Sequence, residues 1–377
     1  MLYGIGDVSG GGGAERFWAD FFEKYRTYDQ RKYDVYLFCD GDSYGRLKEI
    51  RRLSGVSGVV FLKNYSNRFK HTLEFFDFYL KLLSYGINVV HVAEYTTVYY
   101  ERLRKLSRLP GWMRPVLSTT LVNCIIPYRY DWDAGFKKPI DQVLKAIRFD
   151  GIMSWYHLLK EFILEKGFAY KVPYVYAVSY CFADTSKFRP AEKRNDIVFA
   201  ARLGANKNPL MFVEAVSLLE RLEPERIKDW SFAIYGKGEQ EELVRERIRE
   251  LGLQHTIKMG YSLHMADVLA HSKCFVSTQD YENFTSLSML EAMACGNVIV
   301  SRNVGQTGYF AKAAVNAFLA EEDTAKGIAM ALAEFINRPE LHERMQMESV
   351  RIATEIHTAK NFFKETEEYW EALLARK

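Results

Sequence analysis

Arg202 and Lys207 stand five residues apart in a polar segment that follows the apolar run Asp196-Ile197-Val198-Phe199. A guanidinium fork grips two phosphate oxygens and an ammonium adds a movable point charge, so the pair suits a diphosphate. The stretch from Thr278 to Ser301, TQDYENFTSLSMLEAMACGNVIVS, supplies complementary groups: a loop rich in hydroxyls and carboxylates, then a helix pattern ending at a glycine and a β-branched strand. A helix start exposes unpaired N–H groups and carries about half a positive charge, so phosphate binds there without a metal. Glu291 lies about one turn inside that helix, where phosphate would repel it and a neutral diol such as ribose suits it. Thr285 and Ser286 either donate to phosphate or cap the helix. Together these residues suit a reaction in which a diphosphate leaves, because cations at a growing negative charge stabilise the transition state more than the ground state.

The same segment resembles the donor-site signature of the retaining family 4 glycosyltransferases: an acidic residue, G-F-G-L, then L-E-A-M-A-x-G-x-P-V-V. LEAMACGNVIVS, Leu290 to Ser301, matches the second half closely. The first half departs, because eight residues separate Glu282 from Glu291 where the family has seven. Either Glu282-Asn283-Phe284 stands for the family's E-G-F with one residue inserted, the favoured reading, or Asn283 replaces the first carboxylate. ADTSKFRP (Ala183 to Pro190), AARLGANKNP (Ala200 to Pro209), IYGKGEQ (Ile234 to Gln240) and SGGGGAERF (Ser9 to Phe17) resemble further family motifs in the right order.

That resemblance implies an α/β GT-B fold, two Rossmann-like domains whose parallel sheets face each other across a cleft. It implies Arg202, Lys207 and Glu282 as catalytic residues, with Asn123 where many members carry a histidine. Donor contacts would come from Gly12, Gly13, Gly236, Asn283, Phe284, Thr285, Ser286, Leu287 and Glu291. At the end of a strand pattern, His91 reads first as a structural strand-end histidine and second as a candidate for the acceptor or sugar, and Glu94 is a candidate for the same contact. The implied reaction moves a sugar, with retention, from a UDP- or GDP-sugar to a carbohydrate or lipid-linked acceptor in cell-surface glycan synthesis. It needs neither metal nor cofactor. A non-catalytic nucleotide-sugar-binding partner subunit is the alternative, kept open by the glutamate spacing and Asn123.

The elements that must hold these residues alternate. Strand patterns fall at Leu2–Gly6, Tyr33–Cys39, Val59–Leu62 and Asn88–Ala93, with helices at Ala14–Tyr25 and Leu73–Ser84. From Ile197 to Ser301 five strand patterns are interleaved with four helix patterns. Such alternation forces parallel strands joined by right-handed crossovers, with ligands at their carboxyl ends. A chain of 377 residues exceeds the size at which one core keeps growing. The expected domains are 1–190, for the acceptor, and 191–358, for the nucleotide sugar, with a terminal helix from about 359 to 377 returning to the first.

Composition narrows the class. Hydrophobic residues at 48% and charged residues at 26% are ordinary for a globular protein. Five scattered cysteines without a C-x-x-C pair read as reduced thiols and give zinc no support. With neither a long apolar run nor a signal peptide, the expected location is cytoplasmic. The net charge of +3 is uneven, positive in the first half of the chain and negative in the second. Within the positive half, Tyr99 to Leu117 interleaves arginines with leucines, Trp112 and Met113. That pattern fits a peripheral contact with the inner membrane face or a solvated helix with a buried stripe. Nucleic acid is not indicated, since no binding motif accompanies the charge.

Overall fold

A computed structural model describes residues 13–39, 57–66, 69–92, 99–122, 126–131, 133–166 and 172–377. The chain divides into two compact units, residues 1–180 with 359–377 and residues 181–358. The expected strand at Leu2–Gly6 and Gly12, Glu94 and Asn123 lie outside the described residues.

In unit 1, strands β1 (Tyr36–Cys39) and β2 (Gly58–Phe61) form a parallel pair. Strands β3 (Val89–Val92), β4 (Val116–Leu121), β5 (Gly151–Ser154) and β6 (Tyr174–Ala177) form a parallel four-stranded sheet in sequential order. Every residue of β3, β4 and β5 is buried, as expected of a parallel sheet covered on both faces. The helices Gly13–Thr27 and Ala359–Leu374 meet through aromatic edges: Phe17 on Phe362 at 5.0 Å and Phe21 on Phe363 at 5.3 Å between centroids. Polar groups fix the register of the terminal helix. Glu365 accepts from the Tyr176 hydroxyl (2.8 Å) and from the Ser179 N–H (2.8 Å), and Tyr369 bonds to Ser118 at 2.6 Å. Gly151 has to be a glycine here, because a Cβ would lie 2.5 Å from Leu373 and 2.7 Å from the Tyr369 hydroxyl.

Unit 2 holds a parallel six-stranded sheet built from β7 (Arg194–Ala200), β8 (Ser231–Tyr235), β9 (Ile257–Gly260), β10 (Ser272–Ser277), β11 (Val298–Arg302) and β12 (Ala317–Ala320). Their order is β12-β11-β10-β7-β8-β9, so the chain runs outward from β7 in one direction and then from β10 in the other. That is the doubly wound order, and its reversal lies between β7 and β10. Phe212, Val216 and Leu219 of helix Pro209–Leu222 and Ile328, Leu332 and Phe335 of helix Ala325–Asn337 share one core with Ile197, Phe199, Phe232 and Ile234.

The division falls ten residues earlier than the expected boundary at 190. Packing explains the difference: Phe182, Ala183 and Phe188 are buried, the Ala191 N–H donates to the Ala270 carbonyl, and Pro190 lies within 3.5 Å of where a Cβ on Gly296 would stand.

Candidate functional site

The reversal between β7 and β10 leaves the loops after those two strands side by side at their carboxyl ends, where open α/β sheets bind ligands. Hydrogen bonds stitch the loops together. The Thr278 hydroxyl donates to the carbonyls of Lys207 (2.9 Å) and Asn208 (2.8 Å), and the Asp280 N–H donates to the Asn206 carbonyl (3.1 Å). Lys207 donates through Nζ to Oε1 of Gln279. Arg202 is exposed and makes no ion pair among the described residues. Its segment is held by close backbone approach: the Leu203 N–H donates to the Lys237 carbonyl at 2.9 Å, and a Cβ on Gly236 would stand 1.9 Å from the Ala201 oxygen. The glycine pair Gly236 and Gly238 is thus the seat on which the Arg202 segment rests.

The loop after β10 turns into helix Leu287–Ala294 through Thr285, whose φ of 61° is left-handed and unusual for a β-branched residue. The resembling family has glycine at this place, and the backbone conformation accounts for it. The Ser286 side chain makes no capping bond, so the first-turn N–H groups receive no cap from it. Glu291 is buried on the same helix.

Glu282 is buried, with Oε1 accepting from the N–H groups of Asn283 (2.9 Å), Phe284 (2.9 Å) and Gln306 (2.7 Å). Burial pushes its carboxyl up to about 7, against the lowering effect of those three bonds. Gly305, at φ 52°, makes room for it: a Cβ there would lie 2.5 Å from Oε2. Asn283 is fully buried and its amide is used internally. Oδ1 accepts from Ser277 (2.7 Å) and Gln279 (3.0 Å), while Nδ2 donates to Ser301 (2.9 Å), Thr307 (2.9 Å) and the Arg302 carbonyl (3.1 Å). The Asn283 amide is thus engaged on both its oxygen and its nitrogen within these loops.

Residues 183–349 match the model of the family described as Glycosyl transferases group 1. That match lies within unit 2. No curated protein matches the chain in sequence. The whole chain is similar in fold to a glycosyltransferase from Rickettsia africae (TM-score 0.73, 16% identity, covering 100% of this chain and 98% of that one). It is similar also to HepE of Anabaena in complex with UDP (TM-score 0.74, 15% identity, 98% of each chain). A third likeness is to sucrose-phosphate synthase from Thermosynechococcus elongatus (TM-score 0.72, 14% identity, 100% of this chain and 99% of that one). At these identities the likeness carries the fold: α/β, with parallel sheets in two domains, of the GT-B class.

Within unit 2 the structure links Lys207 through Gln279 to Asn283 and Glu282, with Thr285 to Glu291 directly following. Phe284 and Leu287 are buried instead of lining a surface; the Phe284 ring packs on Tyr309 (4.8 Å) and Phe310 (5.1 Å). Two residues that sequence reasoning missed shape the same loops. Gln279 links Lys207 to Asn283. Arg302, buried at the end of β11, donates to the carbonyls of Thr278 (3.2 Å) and Gln279 (3.1 Å) and pairs with Asp280 and Asp323. The run Gly305-Gln306-Thr307 after a strand was the available signal for the third wall of this loop cluster.

In unit 1 His91 takes the structural role of its two readings, which corrects its candidacy for the acceptor or sugar. It is a core residue and presents no surface to an acceptor: fully buried, with Nε2 on the Thr120 hydroxyl at 2.6 Å and Trp18, Tyr369 and Trp370 around the ring. Burial lowers its pKa to about 3, so it stays neutral at physiological pH. Gly13 opens helix Gly13–Thr27. No group of three or more His, Cys, Asp or Glu is gathered as a metal site among the described residues, and no helix there is long and apolar enough to cross a membrane.

Proposed function

We propose that this chain is a retaining glycosyltransferase that moves a sugar from a nucleotide diphosphate sugar, of UDP type, to a carbohydrate or lipid-linked acceptor without a metal. The observation that carries the reading is the meeting of Lys207, Glu282 and a helix start uncapped by Ser286 on loops stitched across the strand reversal, with exposed Arg202 on the same segment as Lys207. As the bond from the sugar C1 to the phosphate oxygen breaks, its electron pair passes to the diphosphate. Arg202, Lys207 and the helix start stabilise that charge in place of a cation. The acceptor oxygen attacks C1 from the same face, and its proton passes to the departing phosphate oxygen, so no side-chain base is required. Oε2 of Glu282 would hold a hydroxyl of the transferred sugar, and Glu291 the ribose. Support for UDP comes from the fold likeness to a protein whose structure holds UDP.

The second reading, a nucleotide-sugar-binding subunit without transferase activity, draws on Asn283, whose amide is spent on its own loop. Thermal-shift measurements with UDP, GDP and ADP in EDTA test binding first; a ligand at a hundred times its dissociation constant stabilises by about 2.7 kcal/mol. Incubation with labelled UDP-sugars in EDTA then tests turnover. Released sugar supports the transferase, whereas a shift without release supports the binding subunit. No shift with any nucleotide sinks both, and activity that returns only with added Mg or Mn overturns the metal-free mechanism.

A further inference from the structure

Arg302 ends β11 with a side chain only 7% exposed, aimed at the loop that follows β10. Nη1 donates to the carbonyls of Thr278 (3.2 Å) and Gln279 (3.1 Å) and to the Asp280 carboxylate, while Nε and Nη2 donate to the two carboxylate oxygens of Asp323. One positive charge thus lies between two carboxylates, so the group offers no net cation to a diphosphate.

What the guanidinium holds is the peptide group on either side of Gln279. The side-chain amide of that residue has a fixed sense: Nε2 donates to Oδ1 of Asn283 (3.0 Å), which turns Oε1 to accept from the Lys207 ammonium. Asp280 supplies a second route. The oxygen that accepts from Arg302 accepts also from Nδ2 of Asn208 (3.1 Å), and the Asp280 N–H donates to the Asn206 carbonyl (3.1 Å), so both chain neighbours of Lys207 are tied to it. Asn208 is a strained anchor, with a left-handed φ of 48° between the Ala205–Lys207 turn and helix Pro209–Leu222. One guanidinium therefore reaches Lys207 at its ammonium and at its backbone.

We propose that Arg302 is a positioning residue for the diphosphate: through Gln279 and Asp280 it sets where the Lys207 ammonium stands, without touching the donor itself. The inference rests on the reading above that Lys207 binds the diphosphate. A lysine side chain loses rotamer freedom when a ligand immobilises it, and an ammonium already held by Gln279 loses less. Removing the guanidinium releases the Gln279 peptide groups and returns Lys207 to its rotamers, so the loss falls on the phosphate end of the nucleotide. An arginine that only braced the fold would instead weaken base and phosphate contacts alike, and its effect would add to that of losing Lys207.

Calorimetry of UDP and uridine with folded variants of the full chain separates the two roles. Arg302→Met, which keeps the apolar stem and removes the guanidinium, should weaken UDP about tenfold, a coupling of the size found within one hydrogen-bonded network, and leave uridine unchanged. In a Lys207→Ala background the same substitution should change UDP affinity by less than about twofold, because its effect passes through the missing ammonium. Arg302→Lys, which keeps the charge without the fork, should fall between wild type and Arg302→Met. Asp280→Asn weakens the ion pair and keeps an oxygen for Asn208; it should show the same pattern at smaller size, and it carries the test where Arg302→Met does not fold. Equal losses for UDP and uridine, or an undiminished effect in the Lys207→Ala background, overturn the role and leave the donor site standing. Lys207→Ala with wild-type affinity for UDP removes the donor site itself, and the role with it.

Discussion

Arg202 and Lys207 differ in how they are held, and that difference sets what each deletion does. Arg202 is exposed, whereas Lys207 is half-buried with its ammonium on Gln279. Each alanine variant should weaken UDP binding by about 1.5–3 kcal/mol, the range for hydrogen bonds to charged groups. Titration calorimetry of folded variants decides it, and unchanged affinity in both removes the pair from the site. Lys207→Ala should in addition loosen Gln279 and its bond to Asn283. Glu282 predicts a pH dependence. Its folded pKa of about 7 lies above the unfolded 4.5, so the fold favours the neutral form. The stabilisation is complete below about 4.5 and is lost as pH rises through about 7, an effect of order 2–3 kcal/mol. Urea unfolding of wild type at pH 5 and pH 8 should show that loss, and Glu282→Gln should flatten it. Equal slopes in the two proteins would assign the carboxylate no such role. At this scale residue types were legible and their satisfaction was not. Nothing in the letters Glu-Asn says that the asparagine amide is consumed by Ser277, Ser301 and Thr307, nor that His91 lies under two tryptophans, because those partners come from distant strands and helices.

The elements that carry the site are set by glycine as much as by periodicity. Gly236 lets β8 end against the carbonyl of Ala201, because a Cβ there would stand 1.9 Å from that oxygen. Gly236→Ala should therefore push the Arg202 segment away from its seat, costing about 1–3 kcal/mol of stability and weakening UDP binding nearly as much as Arg202→Ala does. A folded Gly236→Ala protein with wild-type affinity would show that the seat does not matter. Unit 2 was well marked in the sequence, since β7, β8, β10 and β11 are apolar runs bounded by polar turns, and the structure places β10 at Ser272–Ser277 and the following helix at Leu287–Ala294. Unit 1 was less so. In β4 the buried run Ser118-Thr119-Thr120 looks polar until its hydroxyls find partners, Tyr369 for Ser118 and His91 for Thr120. Strands β5 and β6 are four residues each, too short for a period to emerge. β12, Ala-Phe-Leu-Ala, is alanine-rich and suits a helix as well as an edge strand.

The whole molecule is organised by a chain that leaves unit 1 at residue 180 and returns at 359. Unit 2 is therefore continuous in sequence and unit 1 is not. The returning helix buries Phe362, Phe363, Tyr369, Trp370 and Leu373, each worth about 1.5–3 kcal/mol on burial. It also carries Glu365 and Glu367, whose carboxylates accept the N–H groups of Ser179 (2.8 Å) and Lys32 (2.8 Å). Losing that helix removes more than the net stability of an ordinary domain can absorb. A chain ending at residue 358 should then have an unfolded or molten unit 1 beside a native unit 2, because the core around Phe212, Phe232 and Phe335 uses no residue beyond 358. Hydrogen exchange should show fast exchange over β3 to β6 and native protection over β7 to β12, and UDP should still bind, since Arg202, Lys207, Glu282 and Glu291 all lie in the intact part. Sugar transfer should be lost, because the acceptor is expected on unit 1. Full protection of β3 to β6 in the shortened chain would mean that the terminal helix is an accessory to unit 1, and loss of UDP binding would mean that the nucleotide needs more than unit 2.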